Sequence, residues 1–131
     1  MSASAHFLVL SLLLVGCQSL ADVRPGDGRT ATLTGHSYDA IWQAALRVAD
    51  EHFEIRELDP ARGIITGERT VSATGWGAWV GIYITPPTPG AAAYTVEVVS
   101  RKKVLMNLGE QGWEKKVLRD LQDVLEGRPM R

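Results

Sequence analysis

Two proline-containing turn segments divide the middle of this chain into short pieces and thereby limit the folds it can adopt. Asp59-Pro60-Ala61-Arg62-Gly63 and Pro86-Pro87-Thr88-Pro89-Gly90 each combine proline, which lacks the N–H that a strand ladder needs, with a closing glycine. The segments Trp79–Thr85 and Ala92–Ser100 alternate in the way of half-buried strands. Because strands joined by short turns pair antiparallel, the middle of the chain predicts an antiparallel sheet.

Two amphipathic segments predict helices before and after these strands. The first begins after Ser37, a favourable N-cap residue, and the second begins at Gln111 or Gly112 and ends at Gly127. Apolar residues recur at helical spacing in both: Tyr38, Ile41, Trp42, Ala45, Leu46 and Ala49 in the first, and Trp113, Val117, Leu121, Val124 and Leu125 in the second. We expect both stripes, including Trp42, to lie in the core.

Three further strand candidates complete the predicted order of elements. They are Thr30–Leu33, Phe53–Leu58 and Ile64–Val71, and the order along the chain is β-α-β-β-β-β-α. Since each helix has one apolar face, both helices must cover one side of the sheet. The predicted fold class is α+β, a two-layer sandwich of an antiparallel sheet with two helices on one face.

An apolar run from Phe7 to Val15 precedes the only cysteine of the chain, Cys17. A run of about nine residues has the length of a signal-peptide h-region and about half the length of a membrane-spanning helix. The alternative is a buried core helix with an incidental thiol. The sequence Leu14-Val15-Gly16-Cys17 resembles the lipobox of bacterial lipoproteins. This resemblance implies cleavage between Gly16 and Cys17 and attachment of lipid to Cys17.

The lipobox resemblance divides the chain into four parts. Residues 1–16 are expected to be a signal peptide, 17–29 the lipidated cysteine with a flexible tether, 30–127 one α+β periplasmic domain, and 128–131 a C-terminal tail. The tether is polar and rich in turn residues around Pro25-Gly26-Asp27-Gly28, and we expect it not to pack. The lipid would anchor the protein to a membrane, and Gln18 after the cysteine favours the outer membrane over the inner one.

The charge of the chain is nearly balanced but unevenly distributed. A net charge of −1 gives no overall field that attracts nucleic acid. Ser37–Glu68 carries three arginines against seven acidic residues, whereas Arg101–Arg131 carries eight basic residues against five acidic ones. Two solvated faces would account for this distribution. The alternative is a basic patch that faces an acidic partner or lipid headgroups.

Few residues are candidates for chemistry. Asp50-Glu51-His52 is the densest group of metal-ligand types, but neighbouring helix residues point in different directions, so we expect no metal site. The sequence contains no nucleophile elbow, phosphate-binding loop or zinc-protease motif, and lipid would block Cys17. We therefore expect no catalytic residues, no enzyme activity and no cofactor other than the covalent lipid.

Aromatic residues alternate with glycine between Gly75 and Tyr83. Trp79 and Tyr83 would share one strand face, opposite Val80, Ile82 and Ile84. If the aliphatic face lies under the helices, the aromatic residues lie on the open face of the sheet. They would cover the sheet, contact the membrane interface or bind a protein partner. The partner-binding hypothesis assigns Trp76, Trp79 and Tyr83, because Trp and Tyr anchor protein interfaces.

Four motifs resemble the helix-grip-like domains of BamC-type lipoproteins. They are Tyr38–Ala45, Phe53-Glu54-Ile55, Asp59–Ile65, and the helix that Trp113 initiates. The resemblance implies a non-enzymatic accessory protein of an outer-membrane assembly machine. We expect a periplasm-facing lipoprotein that binds an envelope protein, either through the open sheet face around Trp76, Trp79 and Tyr83 or through a helix groove. The alternative is a small lipoprotein that binds a lipid or another apolar ligand between its helices and sheet.

Overall fold

The elements follow one another in the predicted order. The structure, a computed structural model, describes residues 20, 23–70, 77–103 and 112–131. Its elements are β1 (Arg29–Thr34), α1 (Tyr38–His52), β2 (Glu54–Asp59), β3 (Ile64–Arg69), β4 (Ala78–Thr85), β5 (Ala93–Lys102) and α2 (Glu114–Leu125). The predicted α+β fold class is confirmed.

The five strands form one antiparallel sheet in the order β1-β5-β4-β3-β2. Strands β2 to β5 are a meander of neighbours in sequence, and β1 pairs with β5, so that β1 and β2 are the two edges. Helix α1 packs over β2 and β3, and α2 packs over β1 and β5. Both helices therefore cover the same face of the sheet, as their single apolar stripes require.

The core lies between the helices and the sheet. Val80, Ile82 and Ile84 of β4 face the helices, so the predicted alternation of that strand is confirmed. The stripe of α1 contributes Ile41, Trp42, Ala45 and Ala49, and the stripe of α2 contributes Trp113, Val117 and Leu121. Trp42 is 7% exposed, in agreement with its assignment to the core.

The ends of α1 follow from local sequence. Ser37 is the N-cap, and its hydroxyl accepts a hydrogen bond from the Ala40 N–H at 3.1 Å. At the other end, Phe53 is not the first strand residue, as the sequence predicts, but the C-cap of α1. Its N–H donates to the Ala49 carbonyl at 2.8 Å, and its buried ring joins the core.

Helix α2 begins later than predicted but ends at the predicted glycine. Trp113 is its N-cap residue and Glu114 its first residue, rather than Gln111 or Gly112. Gly127 has φ +71°, and its N–H donates to the Val124 carbonyl at 3.1 Å. The Arg128 N–H reaches the Asp123 carbonyl at 2.7 Å. These two bonds form a Schellman motif, which needs a residue in the left-handed region and therefore favours glycine.

The segment before β1 differs from the expectation of a tether that does not pack. Arg29 already belongs to β1. Val23 is buried, and residues 23–28, which we name the strap, lie against the sheet. One valine is enough to hold the strap on the sheet, because Val23 fills a recess at Gly81. The last residues also pack: Met130 contacts the core, and Arg131 pairs with Asp123.

Candidate functional site

The open face of the sheet carries the aromatic residues that the sequence singles out. Trp79 pairs across the sheet with Glu68 and Arg101, and Tyr83 pairs with Ile64 and Glu97. All these residues lie on the face away from the helices, because their neighbours Val80, Ile82 and Ile84 face the core. Three residues of the predicted sites, Gly16, Cys17 and Trp76, lie outside the described residues.

The strap covers the centre of this face. Val23 packs with Tyr83 and Val99, and the Tyr83 hydroxyl donates to the Val23 carbonyl at 3.0 Å. Gly81 lies beneath: a Cβ added there would lie 2.6 Å from Val23 Cγ1 and 2.7 Å from the Tyr83 oxygen. The missing side chain of Gly81 therefore makes the recess that Val23 fills.

Polar contacts hold the second half of the strap. The Gly26 N–H donates to both carboxylate oxygens of Glu97, at 2.7 and 2.9 Å, and the Gly28 N–H lies 3.3 Å from one of them. Asp27 forms an ion pair with Arg101 at 3.3 Å. Gly28 runs so close to β5 that an added Cβ would lie 2.1 Å from the Val98 carbonyl oxygen. The strap is thus fixed at Val23 and again at Glu97.

The strap limits what the predicted aromatic surface offers to a partner. Tyr83 is 7% exposed, whereas Trp79 is half-buried. Burial raises the pKa of the Tyr83 phenol, and the negative charges of Glu57 and Glu97 raise it further. Tyr83 therefore stays a neutral hydrogen-bond donor to the strap at neutral pH, and a partner would reach its ring only after the strap leaves.

Replacing Val23 with serine is expected to release the strap. Losing a buried valine side chain costs about 1.5–3 kcal/mol, which corresponds to roughly 10- to 100-fold in the opening equilibrium. Hydrogen exchange at the Gly26 and Gly28 amides should accelerate by that factor. Ala92→Ser, at an exposed position, is the control and should leave both rates unchanged. Equal protection in wild type and Val23→Ser would show that Val23 does not hold the strap.

A charged cluster lies beside Trp79 on the open face. The carboxylate of Glu68, 9% exposed, binds the Arg56 guanidinium through one oxygen and the Lys103 ammonium through the other. The Lys103 nitrogen lies 4.6 Å from the centroid of the Trp79 ring. The Glu68 carboxylate holds the Lys103 ammonium in place, and Lys103 in turn contacts the Trp79 ring through a cation–π interaction. The cluster therefore fixes the position of Trp79.

A second buried carboxylate, that of Asp120, links the two helices. Asp120 is fully buried, and its Oδ2 accepts from His52 Nε2 at 2.8 Å and from Lys116 Nζ at 3.1 Å. The sequence groups His52 with Asp50 and Glu51, but both acids are exposed, and the structure brings His52 to α2 instead. Among the described residues, no group of three His, Cys, Asp or Glu side chains is arranged to hold a metal ion.

An apolar groove runs between α1 and the edge strand β2. We name it the Leu58 groove; it has a volume of about 500 Å³ and is lined by Gln43, Leu46, Arg47, Asp50, Ile55 and Leu58. Leu58 is 48% exposed and is the one large apolar side chain that is exposed within the described part of the chain. The groove is open to solvent along an unpaired strand edge.

A β-bulge creates this groove. The register of β2 against β3 shifts between Ile55 and Glu57, so Arg56 is the additional residue. In a regular strand, residues three apart point to opposite faces; the bulge turns Ile55 and Leu58 to the same, helix-covered side. No signal in the sequence marks the bulge, and the sequence therefore does not reveal Leu58. The roles of Val23 and Asp120 are likewise not apparent from the sequence.

No protein-family model matches the chain, and no curated protein matches it. In residues 20, 23–70, 77–103 and 112–131, no helix has both the length and the apolar character needed to cross a membrane.

Proposed function

We propose that the protein is a lipoprotein whose lipid on Cys17 anchors it to the periplasmic side of the outer membrane, and that its domain is a non-catalytic module that binds an envelope protein. The anchor is supported by the lipobox-like sequence Leu14-Val15-Gly16-Cys17. The resemblance to BamC-type domains supports an accessory role in an envelope assembly. The observation that carries the binding function is the Leu58 groove.

The Leu58 groove has the character of a docking surface for an apolar segment. Leu58 is exposed and shares the groove with two further aliphatic side chains, Leu46 and Ile55. A partner that covers them would lower the free energy, because apolar surface would be removed from water. The unpaired edge of β2 lies alongside and offers backbone hydrogen bonds to an extended segment. Arg47 and Asp50 flank the apolar floor and would orient the segment.

The strap supports the placement of the domain. Five residues separate Cys17 from Val23, and a fully extended chain spans about 20 Å over that distance. Because Val23 is fixed to the open face of the sheet, a lipid on Cys17 would hold that face near the bilayer. The Leu58 groove lies on the other face, at the β2 edge, where a periplasmic partner would reach it.

Photo-crosslinking in cells tests the proposal. A photoreactive amino acid at position 58 should give one discrete protein adduct, and the same residue at Thr32, exposed on the opposite edge of the sheet, should give none. Position 79 is included because the sequence-based hypothesis assigns Trp79 to partner binding. The same cells receive a labelled fatty acid, which should enter the wild type but not Cys17→Ala.

Each outcome has its own meaning. A protein adduct at position 79 alone would move the docking surface to the open face. Adducts with lipid alone would favour the alternative, a carrier of an apolar ligand. No adduct at either position in a folded protein would contradict the binding function, and equal fatty-acid labelling of wild type and Cys17→Ala would contradict the anchor.

The carrier alternative receives no support from the described residues. A carrier needs an enclosed apolar cavity between its layers. Here that space is occupied by fully buried side chains, among them Ile41, Val48, Ile82, Val96 and Leu121.

A further inference from the structure

A groove with a different character lies at the opposite edge of the molecule. It runs between β1 and α2, has a volume of about 600 Å³, and we name it the basic groove. Arg29, Lys115 and Arg119 line it, together with Gly28, Thr30, Ala31, Leu118 and Gln122. Three cations from two elements thus share one groove, and no carboxylate lines it.

Two of the three cations of the basic groove lack an ion-pair partner within the described residues. Arg29 and Lys115 are exposed, and neither forms an ion pair with any residue that the structure describes. The third cation, Arg119, is partly compensated, because its Nε lies 3.7 Å from Asp120 Oδ1 and its Nη2 donates to the Arg131 carbonyl oxygen at 3.4 Å. An anion in the groove would therefore be stabilised mainly by the charges of Arg29 and Lys115 and by hydrogen bonds from their exposed donors.

The chemistry of the groove fits a phosphate group. A guanidinium presents two parallel N–H donors that match two phosphate oxygens, and an ammonium adds a point charge. Leu118 provides an apolar wall beside the cations, next to which glycerol and the first methylenes of an acyl chain would lie. We propose that the basic groove binds the phosphate of an anionic phospholipid headgroup.

The position of the groove favours a lipid. Gly28, which lines the groove, is the last residue of the strap, and Arg29 follows it directly. An anchor on Cys17 would keep the strap within a short chain length of the bilayer, so headgroups would be present at a high effective concentration. In this respect the inference rests on the proposed anchor. A cation near an anionic bilayer surface adds about 1 kcal/mol, or roughly fivefold in binding.

The test uses the full chain in nanodiscs of phosphatidylcholine with an increasing fraction of phosphatidylglycerol. A trace of lipid with a nitroxide on its headgroup broadens the amide resonances that it approaches. We expect the Arg29, Thr30 and Lys115 amides to broaden as the phosphatidylglycerol fraction rises. The double variant Arg29→Gln/Lys115→Gln should lower the apparent affinity for phosphatidylglycerol, obtained from this broadening, by roughly 25-fold, since two cations are lost. The matched control Arg47→Gln/Arg62→Gln removes two cations at the other edge and should keep it.

Three outcomes would overturn the inference. Broadening that does not depend on phosphatidylglycerol would mean that the groove does not recognise an anionic headgroup. Equal loss in both double variants would mean that net charge, and not the groove, is responsible. If millimolar inorganic phosphate shifted the amide resonances of the groove residues and phosphatidylglycerol had no effect on them, the groove would be a site for free phosphate. The intact mass of the same sample reports lipidation, so failure of the anchor is a separate observation.

Discussion

Replacing Trp113 with alanine should lower the free energy of unfolding by about 3–5 kcal/mol, the usual cost of removing a buried aromatic side chain. The indole is 2% exposed and joins three elements. It packs edge-on against Phe53 with ring centroids 5.1 Å apart, and the Arg69 guanidinium lies 4.8 Å from its centroid. The cavity left by alanine would open between the start of α2, the end of α1 and the sheet.

Urea unfolding of the full chain, followed by circular dichroism, measures this loss. Trp113→Phe should cost less, because a ring still packs against Phe53. Leu58→Ala is the matched control: it also removes a large apolar side chain, but one that is 48% exposed, and should change stability by about 0.5 kcal/mol or less. A loss below about 1 kcal/mol for Trp113→Ala would mean that α2 contributes little to the fold.

Asp120→Asn should destabilise the protein by about 2–3 kcal/mol at neutral pH, the value of hydrogen bonds between charged groups in a buried setting. The change keeps the shape of the side chain but removes the negative charge that faces His52 and Lys116. These two partners are partly exposed, at 14% and 22%, and water would recover some of the loss.

Low pH should remove the difference between this variant and the wild type. Burial raises the pKa of Asp120, but the hydrogen bonds and charges of His52 and Lys116 outweigh it, and the pKa lies below the ordinary 3.8. The stabilisation by the Asp120 charge is therefore complete above the ordinary pKa and is lost as the pH falls through the lowered pKa of the folded protein. Unfolding at pH 7 and in steps below pH 4 measures it, with the exposed Asp50→Asn as control. A constant difference between variant and wild type down to the lowest pH would contradict the role of the charge.

The elements that the sequence predicts correctly are those whose information is local. Ser37 and the apolar stripe behind it define α1 within a few turns, and the Asp59–Gly63 turn and Gly127 mark their boundaries by backbone preference alone. Alternation along β4 is also local, and it places Trp79 and Tyr83 on the open face without any knowledge of the partner strands.

The contacts that the sequence does not reveal join distant residues. The strap is polar except for Val23, and its partners Tyr83 and Glu97 follow some 60 and 70 residues later, so composition alone suggests a free linker. Asp120 and Asp123 occupy α2 positions that look solvated. Asp120 is buried because His52, 68 residues earlier, donates a hydrogen bond to it, and Asp123 is buried because Arg128, beyond the end of the helix, forms an ion pair with it.

The pairing of β1 with β5 has a consequence for how the molecule assembles. Strands β2 to β5 follow one another through short connections, so each strand can pair with the next one in the sequence. Strand β1 can pair only after β5 has been made, because Arg29 pairs with Val98. The first strand of the sequence is thus the last to find its place. The strap, which needs Tyr83 and Val99 on a finished surface, docks with it or later. During synthesis, β1 and the strap therefore stay undocked until nearly the whole sheet exists.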